Sequence, residues 1–245
     1  MTEKKSNEMN NIEKKHLTIM KGNVFQPKGT QYRVDSLSSL VDLVKAKGDP
    51  QKTVLFYYES GIDVVLDDTI EYRTKDLAFF SFRLSPELEE WNALMNRWVT
   101  QKILIDFLTH REPRELTLVD EVSLINQLEK LKLATTIVGD YQYHDRNNFT
   151  VMFKVEDGEG SATLPSVIEV RIPFFLENKD NFSKTIEIEL ELSKPRSADE
   201  KPQFKMTCPK YSRYYREAVE NEISKLKQSL SGYLILAGAN EIARH

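Results

Sequence analysis

A chain of 245 residues, of which 40% are hydrophobic, is long enough to bury a substantial core without disulfides or structural metals. One cysteine and four histidines exclude an intramolecular disulfide and a structural zinc site of the usual Cys/His spacing. We therefore predict a reducing, cytoplasmic compartment. No motif specifies a ligand, and we predict no cofactor. The chain has no apolar run of about 18 residues and no signal-like N-terminus, so we expect neither membrane insertion nor secretion.

Charge is spread unevenly along the chain. Residues 1–30 are polar and rich in Lys, Asn and Glu, so we predict a disordered arm there and a single α+β domain over 31–245. Up to Gly29, six lysines and three glutamates give a net charge of +3, which leaves −7 for the rest of a chain whose net charge is −4. An acidic body argues against a large surface that follows nucleic-acid phosphates.

A short helix and a β-hairpin are the first predicted elements. Ser36 is a favourable N-cap, and Gly48 ends a helix whose apolar side carries Leu37, Leu40, Val41 and Val44. The hairpin comprises Thr53–Tyr58 and Ile62–Leu66. Two further strands are predicted at Thr69–Arg73 and Ala78–Arg83.

A long amphipathic helix is predicted over Ser85–Glu112, with Ser85 as its cap and Pro86 in its first turn. Its apolar positions recur at three and four residues, as one face of a helix requires: Leu88, Trp91, Leu94, Met95, Trp98, Ile105 and Leu108. Trp91 and Trp98 are predicted to be structural anchors in the core. Gln101, on the same face, is predicted to satisfy a nearby backbone group.

The second half of the chain alternates helices and strands. A helix is predicted over Leu116–Leu133 and another over Tyr211–Leu230, where Val219, Ile223, Leu226, Leu230 and Tyr233 form a short heptad-like seam. Strands are predicted at Thr135–Gln142, Phe149–Val155, Ser166–Ile172, Thr185–Leu192 and Gln203–Cys208. The order predicts an α+β fold: a largely antiparallel sheet, with the long tryptophan-bearing helix and the C-terminal helix packed on it.

Carboxylates provide the candidates for metal chemistry. Glu187, Glu189 and Glu191 alternate with apolar residues and could hold a divalent cation, but positions two apart on a strand lie about 7 Å apart. A solvated sheet face paired with Arg171 or Lys184 is the favoured interpretation.

Three further acidic residues, Asp63, Asp67 and Asp68, are favoured as turn and strand-end residues. If these three side chains converged with Glu71 or His110, they would instead indicate a magnesium-dependent nuclease. Cys208 is predicted to be a half-buried thiol rather than a nucleophile, and Gly158-x-Gly160 a hairpin turn rather than a nucleotide-binding loop. We assign no catalytic or metal-binding residue.

One segment mixes basic and aromatic side chains, the combination that stacks on single-stranded bases. The candidate binding residues are Lys205, Lys210, Arg213, Tyr214, Tyr215 and Arg216. The favoured alternative places the tyrosines on the buried edge of the C-terminal helix and the arginines in solvent.

Part of the chain resembles the YfdQ-like family of phage and prophage proteins. The resemblance rests on Trp91, Trp98 and Gln101 together with Leu104, Phe107 and Leu108, and it extends over roughly residues 34–195. It implies a phage or prophage gene whose product acts in a bacterial cell. It transfers no activity, because the family has no established one.

We therefore predict a non-catalytic phage or prophage accessory protein that acts by macromolecular binding. The predicted partner is a host or phage protein, or a second copy in a homo-oligomer, contacted by the C-terminal helix and its tyrosines. Two alternatives stay open at this stage: a single-stranded nucleic-acid binder that supports phage recombination, and a metal-dependent nuclease.

Overall fold

The structure is a computed structural model in which the chain divides into two compact units. The first contains the described residues up to Ser81 and from Lys227 onward, and the second spans Phe82–Leu226. Of the predicted arm, all but Gly29 and Thr30 lies outside the described residues, and the single domain over 31–245 stays a prediction. The described residues are 29–70, 75–111, 115–117, 121–132, 136–137, 142–143, 148–155, 158–176, 183–193 and 201–239.

The predicted α+β fold with largely antiparallel pairing is confirmed, although the described strands form three sheets where one was predicted. In the first unit, five strands form a sheet in the order β1-β4-β3-β2-β13, with the two outermost strands parallel to their neighbours and the inner pairs antiparallel. The elements are β1 (Gln31–Val34), α1 (Leu37–Lys47), β2 (Val54–Tyr58), β3 (Gly61–Val65), β4 (Leu77–Ser81) and β13 (Leu234–Ala237).

The predicted cap and hairpin of this unit are confirmed. Ser36 Oγ accepts a hydrogen bond from Ser39 N at 3.0 Å, and Gly48 is the C-cap of α1. In the hairpin, Tyr58 of β2 lies opposite Gly61 of β3. All five residues of β3 are buried, so this strand is the centre of the sheet and of its core.

The described residues of the second unit form two sheets. One is antiparallel in the order β10-β11-β12-β5, and in the other β6, β7 and β9 all pair with the long strand β8. The strands are β5 (Trp98–Thr100), β6 (Thr136–Ile137), β7 (Gln142–Tyr143), β8 (Asn148–Val155), β9 (Gly158–Pro165), β10 (Val167–Pro173), β11 (Ser183–Leu192) and β12 (Gln203–Thr207). The helices are α2 (Pro86–Leu94), α3 (Gln101–Thr109), α4 (Glu121–Lys132) and α5 (Tyr211–Ser229), whose last three residues belong to the first unit.

Strand β11 has the predicted alternation. Its apolar residues Ile186, Ile188 and Leu190 are at most 4% exposed, whereas the alternating glutamates are partly exposed at Glu187 and exposed at Glu189 and Glu191. Since successive side chains of a strand point to opposite faces, the sequence pattern alone fixes which face of this sheet is core.

The single long helix predicted over Ser85–Glu112 is wrong, because β5 separates α2 from α3. Ser85 and Pro86 begin α2 as predicted, with Ser85 Oγ accepting from Leu88 N at 3.0 Å. The helix ends at Leu94, and two residues later Asn96 has a φ of 61°, in the left-handed region that asparagine tolerates better than most residues. Asn96 N donates to Met206 O at 2.7 Å, so the sheet replaces the helical hydrogen bond. The side chain of Thr100 then caps α3.

Several predicted boundaries also change. Thr69, predicted to begin a strand, lies in a turn closed by its own bonds to Asp67 Oδ1, and residues 71–73 lie outside the described residues. Leu116, predicted to begin a helix, forms a bridge with Val170 instead. The edge strands β1 and β13 were not predicted, because each is four residues long and takes its conformation from the strand beside it.

Candidate interaction surface

The two predicted binding tyrosines pack inside the second unit. Tyr214 is 9% exposed, and Lys184 Nζ lies 5.4 Å from the centroid of its ring. Tyr215 is half-buried, and its ring meets that of Phe175 edge-on with centroids 5.6 Å apart. Tyrosines held in this way secure the start of α5 and offer little ring face for stacking on a base.

The four predicted cations differ in their partners. Lys210 forms an ion pair with Glu187 of β11, and this carboxylate raises the pKa of the lysine by hydrogen bonding and by its charge. Arg213 Nε lies 2.8 Å from Glu217 Oε1 one turn further along α5. Arg216 is exposed, and Lys205 belongs to β12. Two of the four therefore neutralise carboxylates of the second unit.

The acidic face of β11 has partners other than the predicted ones. Glu187 is bound by Lys210, whereas Lys184 pairs with Glu217 and Arg171 Nε donates to Ser183 Oγ at 2.7 Å. The prediction that this face pairs with Arg171 or Lys184 is thus wrong for Glu187. The reason is that α5 brings Lys210 and Glu217 to the sheet, which local sequence could not indicate.

The aspartates weighed as metal ligands each have a separate partner. Tyr58 donates its hydroxyl to Asp63 Oδ1 at 3.0 Å, and Lys75 Nζ lies 2.6 Å from Asp68 Oδ1. Hydrogen bonds from Thr69 lower the pKa of Asp67. Within the described ranges no group of three or more His, Cys, Asp or Glu side chains could hold a metal ion. Glu71 lies outside those ranges.

Cys208 is half-buried, and burial raises the pKa of its thiol to about 11, with smaller contributions from the charges of Glu187 and Glu189. At pH 8, three pH units below this pKa, only roughly one thousandth of the thiol is ionised.

We expect iodoacetamide to modify Cys208 in the folded chain about 100-fold more slowly than in the urea-denatured chain at pH 8, because the thiolate is the reactive form. Mass spectrometry of timed samples gives both rates, and equal rates would contradict the raised pKa.

Sequence reasoning missed an exposed surface around Trp98. Trp98 was predicted to be in the core, but it is 46% exposed on the edge strand β5, whereas Trp91 is fully buried. The spacing of seven residues places two side chains on one face only if the helix is continuous, and this helix is not. The local signal that could have shown the break is Asn96, a residue type enriched in left-handed turns.

The Trp98 surface consists of Trp98, Arg97, Lys102, Ile103 and Lys205. Lys205 lies opposite Trp98 across the β12–β5 pair, and its Nζ is 5.8 Å from the centroid of the indole ring. Arg97 and Lys102 are exposed, and Ile103 in the first turn of α3 is 47% exposed. Lys205 thus contacts Trp98 across the strand pair, while Arg97, Lys102 and Ile103 lie beside Trp98 along the chain, in a sequence that has no acidic residue from Trp91 to Ile105.

Gln101 holds this region to the rest of the second unit. Its Nε2 donates to Leu128 O of α4, the kind of backbone contact that was expected of this residue. Leu104 and Leu108, on the same side of α3, are fully buried. The base of the Trp98 surface is thus fixed by core contacts and a side-chain hydrogen bond.

Comparisons of the chain with protein-family models, curated proteins and solved structures find no match. The resemblance to the YfdQ-like family stays a prediction based on the residues quoted above. None of the helices in the described part of the chain is both long and apolar enough to cross a membrane.

Proposed function

We propose that this chain is a non-catalytic phage or prophage accessory protein that acts by binding another protein of the phage or its host. The observation that supports a binding role is the exposure of Trp98 on a sheet edge. The phage context rests on the resemblance to the YfdQ-like family. The proposal moves the contact region from the tyrosines of α5, which are packed, to the Trp98 surface.

The composition of this surface is that of a protein-binding hot spot. Tryptophan and arginine are the residues most often found where truncation costs the most binding energy, because they bury much area and retain a polar contact. The Trp98 surface contains both, with Ile103 as a second apolar side chain. The contacts of Gln101 and Leu104 hold the surface in place before a partner arrives, which lowers the entropy lost on binding.

A single-stranded nucleic acid is the second candidate partner, and the position of Lys205 over the indole ring favours it. Exposed aromatic rings beside Lys and Arg bind single strands by stacking on bases and contacting phosphates. Against it, Glu191 lies opposite Lys205 across the β11–β12 pair and offsets part of the positive charge. The protein partner is therefore the leading proposal.

Both candidates are tested by replacing Trp98 with alanine. Peptides selected from a random displayed library on the wild-type chain should bind the Trp98→Ala variant about 30-fold more weakly, because a central tryptophan contributes about 2 kcal/mol or more. Fluorescence anisotropy gives each Kd. Met152→Ala is the matched control, since Met152 is 40% exposed on β8 of the same unit.

Two outcomes would change the assignment. Peptides that bind Trp98→Ala and the wild-type chain equally would remove the Trp98 surface as the contact. A labelled single-stranded oligonucleotide whose binding weakens steeply with salt and is lost in Trp98→Ala would move the nucleic-acid partner to first place.

A further inference from the structure

The sheet of the first unit ends at β13 in an edge that carries exposed apolar side chains. Leu234 is 52% exposed and Leu236 is 39% exposed. In register beside them on β2 lie Val54 and Phe56, both partly exposed. Since side chains in register on neighbouring strands share a face, these four residues form one apolar strip at the border of the sheet.

The backbone of β13 leaves hydrogen-bonding groups directed away from the sheet. Gly238 N donates to Tyr57 O at 2.9 Å, and Ala237 pairs with Tyr57 in the parallel ladder. In such a ladder alternate residues bond to the neighbouring strand, so Leu234 and Leu236 face β2 with their backbone groups. Ile235 and Ala237 therefore direct their N–H and C=O groups toward the open side of β13, where the described residues place no further strand.

Charge distinguishes β13 from the opposite edge of the same sheet. Edge strands are commonly protected from pairing by charged residues, and β1 carries Arg33 in its centre. By contrast, the 13 residues from Gln228 to Asn240 include no charged side chain. An uncharged strand can lie beside a copy of itself without opposing like charges, whereas two copies of β1 would bring their arginines together.

We infer that β13 is a self-association edge, at which a second copy of this chain adds its own β13 in antiparallel orientation. A two-fold axis through Ile235 places this residue opposite Ile235 of the second copy as a hydrogen-bonded pair. The pair uses the outward N–H and C=O groups of both copies. The same register places Leu234 of each copy opposite Leu236 of the other, on the face that already carries the apolar strip. Pairing thus satisfies open backbone groups and covers the exposed leucines together. It does not involve the Trp98 surface.

The first test is the mass of the full chain by light scattering over a concentration series. The wild-type chain should approach twice the mass of one chain, 28.5 kDa, as its concentration rises. Leu236→Lys places a like charge near the two-fold axis in both copies and should leave the chain monomeric over the same range. Leu176→Lys is the matched control, because Leu176 in the second unit is 37% exposed, and it should associate as the wild-type chain does. A chain that is monomeric throughout the series overturns the inference.

Cysteine pairing tests the register independently of any loss of folding. In a background with Cys208→Ser, a mixture of Leu234→Cys and Leu236→Cys chains should form an intermolecular disulfide on mild oxidation, because non-hydrogen-bonded antiparallel pairs have Cα atoms about 4.5 Å apart. Each variant alone should give much less. The exposed Thr163→Cys chain is the control for random collisions. Crosslinking of the mixture no faster than that of the control overturns the proposed pairing.

Discussion

Replacing Trp91 with alanine should lower the free energy of unfolding by about 3–5 kcal/mol. The side chain is fully buried, and its ring meets that of Phe107 edge-on with centroids 4.8 Å apart. Its Nε1 donates to Oε2 of the buried Glu115 at 2.9 Å. The alanine variant therefore leaves a large cavity and removes a hydrogen bond from a buried carboxylate. Urea denaturation followed by circular dichroism measures the change.

The same substitution at Trp98 is the control for Trp91→Ala. Because Trp98 is 46% exposed, its replacement should cost less than about 1 kcal/mol. Trp91→Phe retains most of the ring volume but loses the indole donor, so it should lie between the two alanine variants. Equal destabilisation at Trp91 and Trp98 would contradict the burial difference, and with it the break between α2 and α3.

Replacing Ile188 with glutamate should prevent the second unit from folding. Ile188 is fully buried in the centre of β11, opposite Ile168 of β10. A carboxylate there would be buried among apolar side chains, at a cost of at least about 4 kcal/mol. Because the free energy of unfolding of a protein is typically about 5–15 kcal/mol, the cost of burying this carboxylate is a large fraction of it. Loss of amide hydrogen-exchange protection in β10 and β11 is the expected observation.

A substitution at the next residue, on the exposed face of β11, provides the control. Glu189 is exposed, and Glu189→Ala should change the free energy of unfolding by no more than about 0.5 kcal/mol. Substantial protection of β11 in Ile188→Glu, or its loss in Glu189→Ala, would mean that the two faces of the strand are assigned the wrong way round.

Several features of this protein follow from short stretches of sequence. The period-two pattern over 185–192 determines the buried face of β11, because a strand has only two faces. Ser36 and Ser85 cap their helices because a serine side chain can accept a bond from an N–H that has no partner within the helix. The hairpin between β2 and β3 and the overall α+β class follow from the same local patterns.

The candidate site depends on contacts that are distant in sequence. Helical spacing placed Trp98 in the core, but pairing of β5 with β12 and a left-handed residue at Asn96 turn it toward solvent. Lys210 looked like part of a basic surface, yet it neutralises Glu187 once α5 lies beside the sheet. Neither the β5–β12 pairing nor the Lys210–Glu187 ion pair can be predicted from the few residues on either side of Trp98 or Lys210.

The sequence by itself determined the α+β class, the caps at Ser36 and Ser85 and the buried face of β11, because each depends on neighbours within a few residues. Tertiary structure decided which polar and aromatic side chains stay exposed, and it created the edge strand β13. An isolated four-residue strand has no internal hydrogen bonds to hold it extended. Residues such as Leu234 therefore acquire their role only when β2 supplies the other half of the ladder.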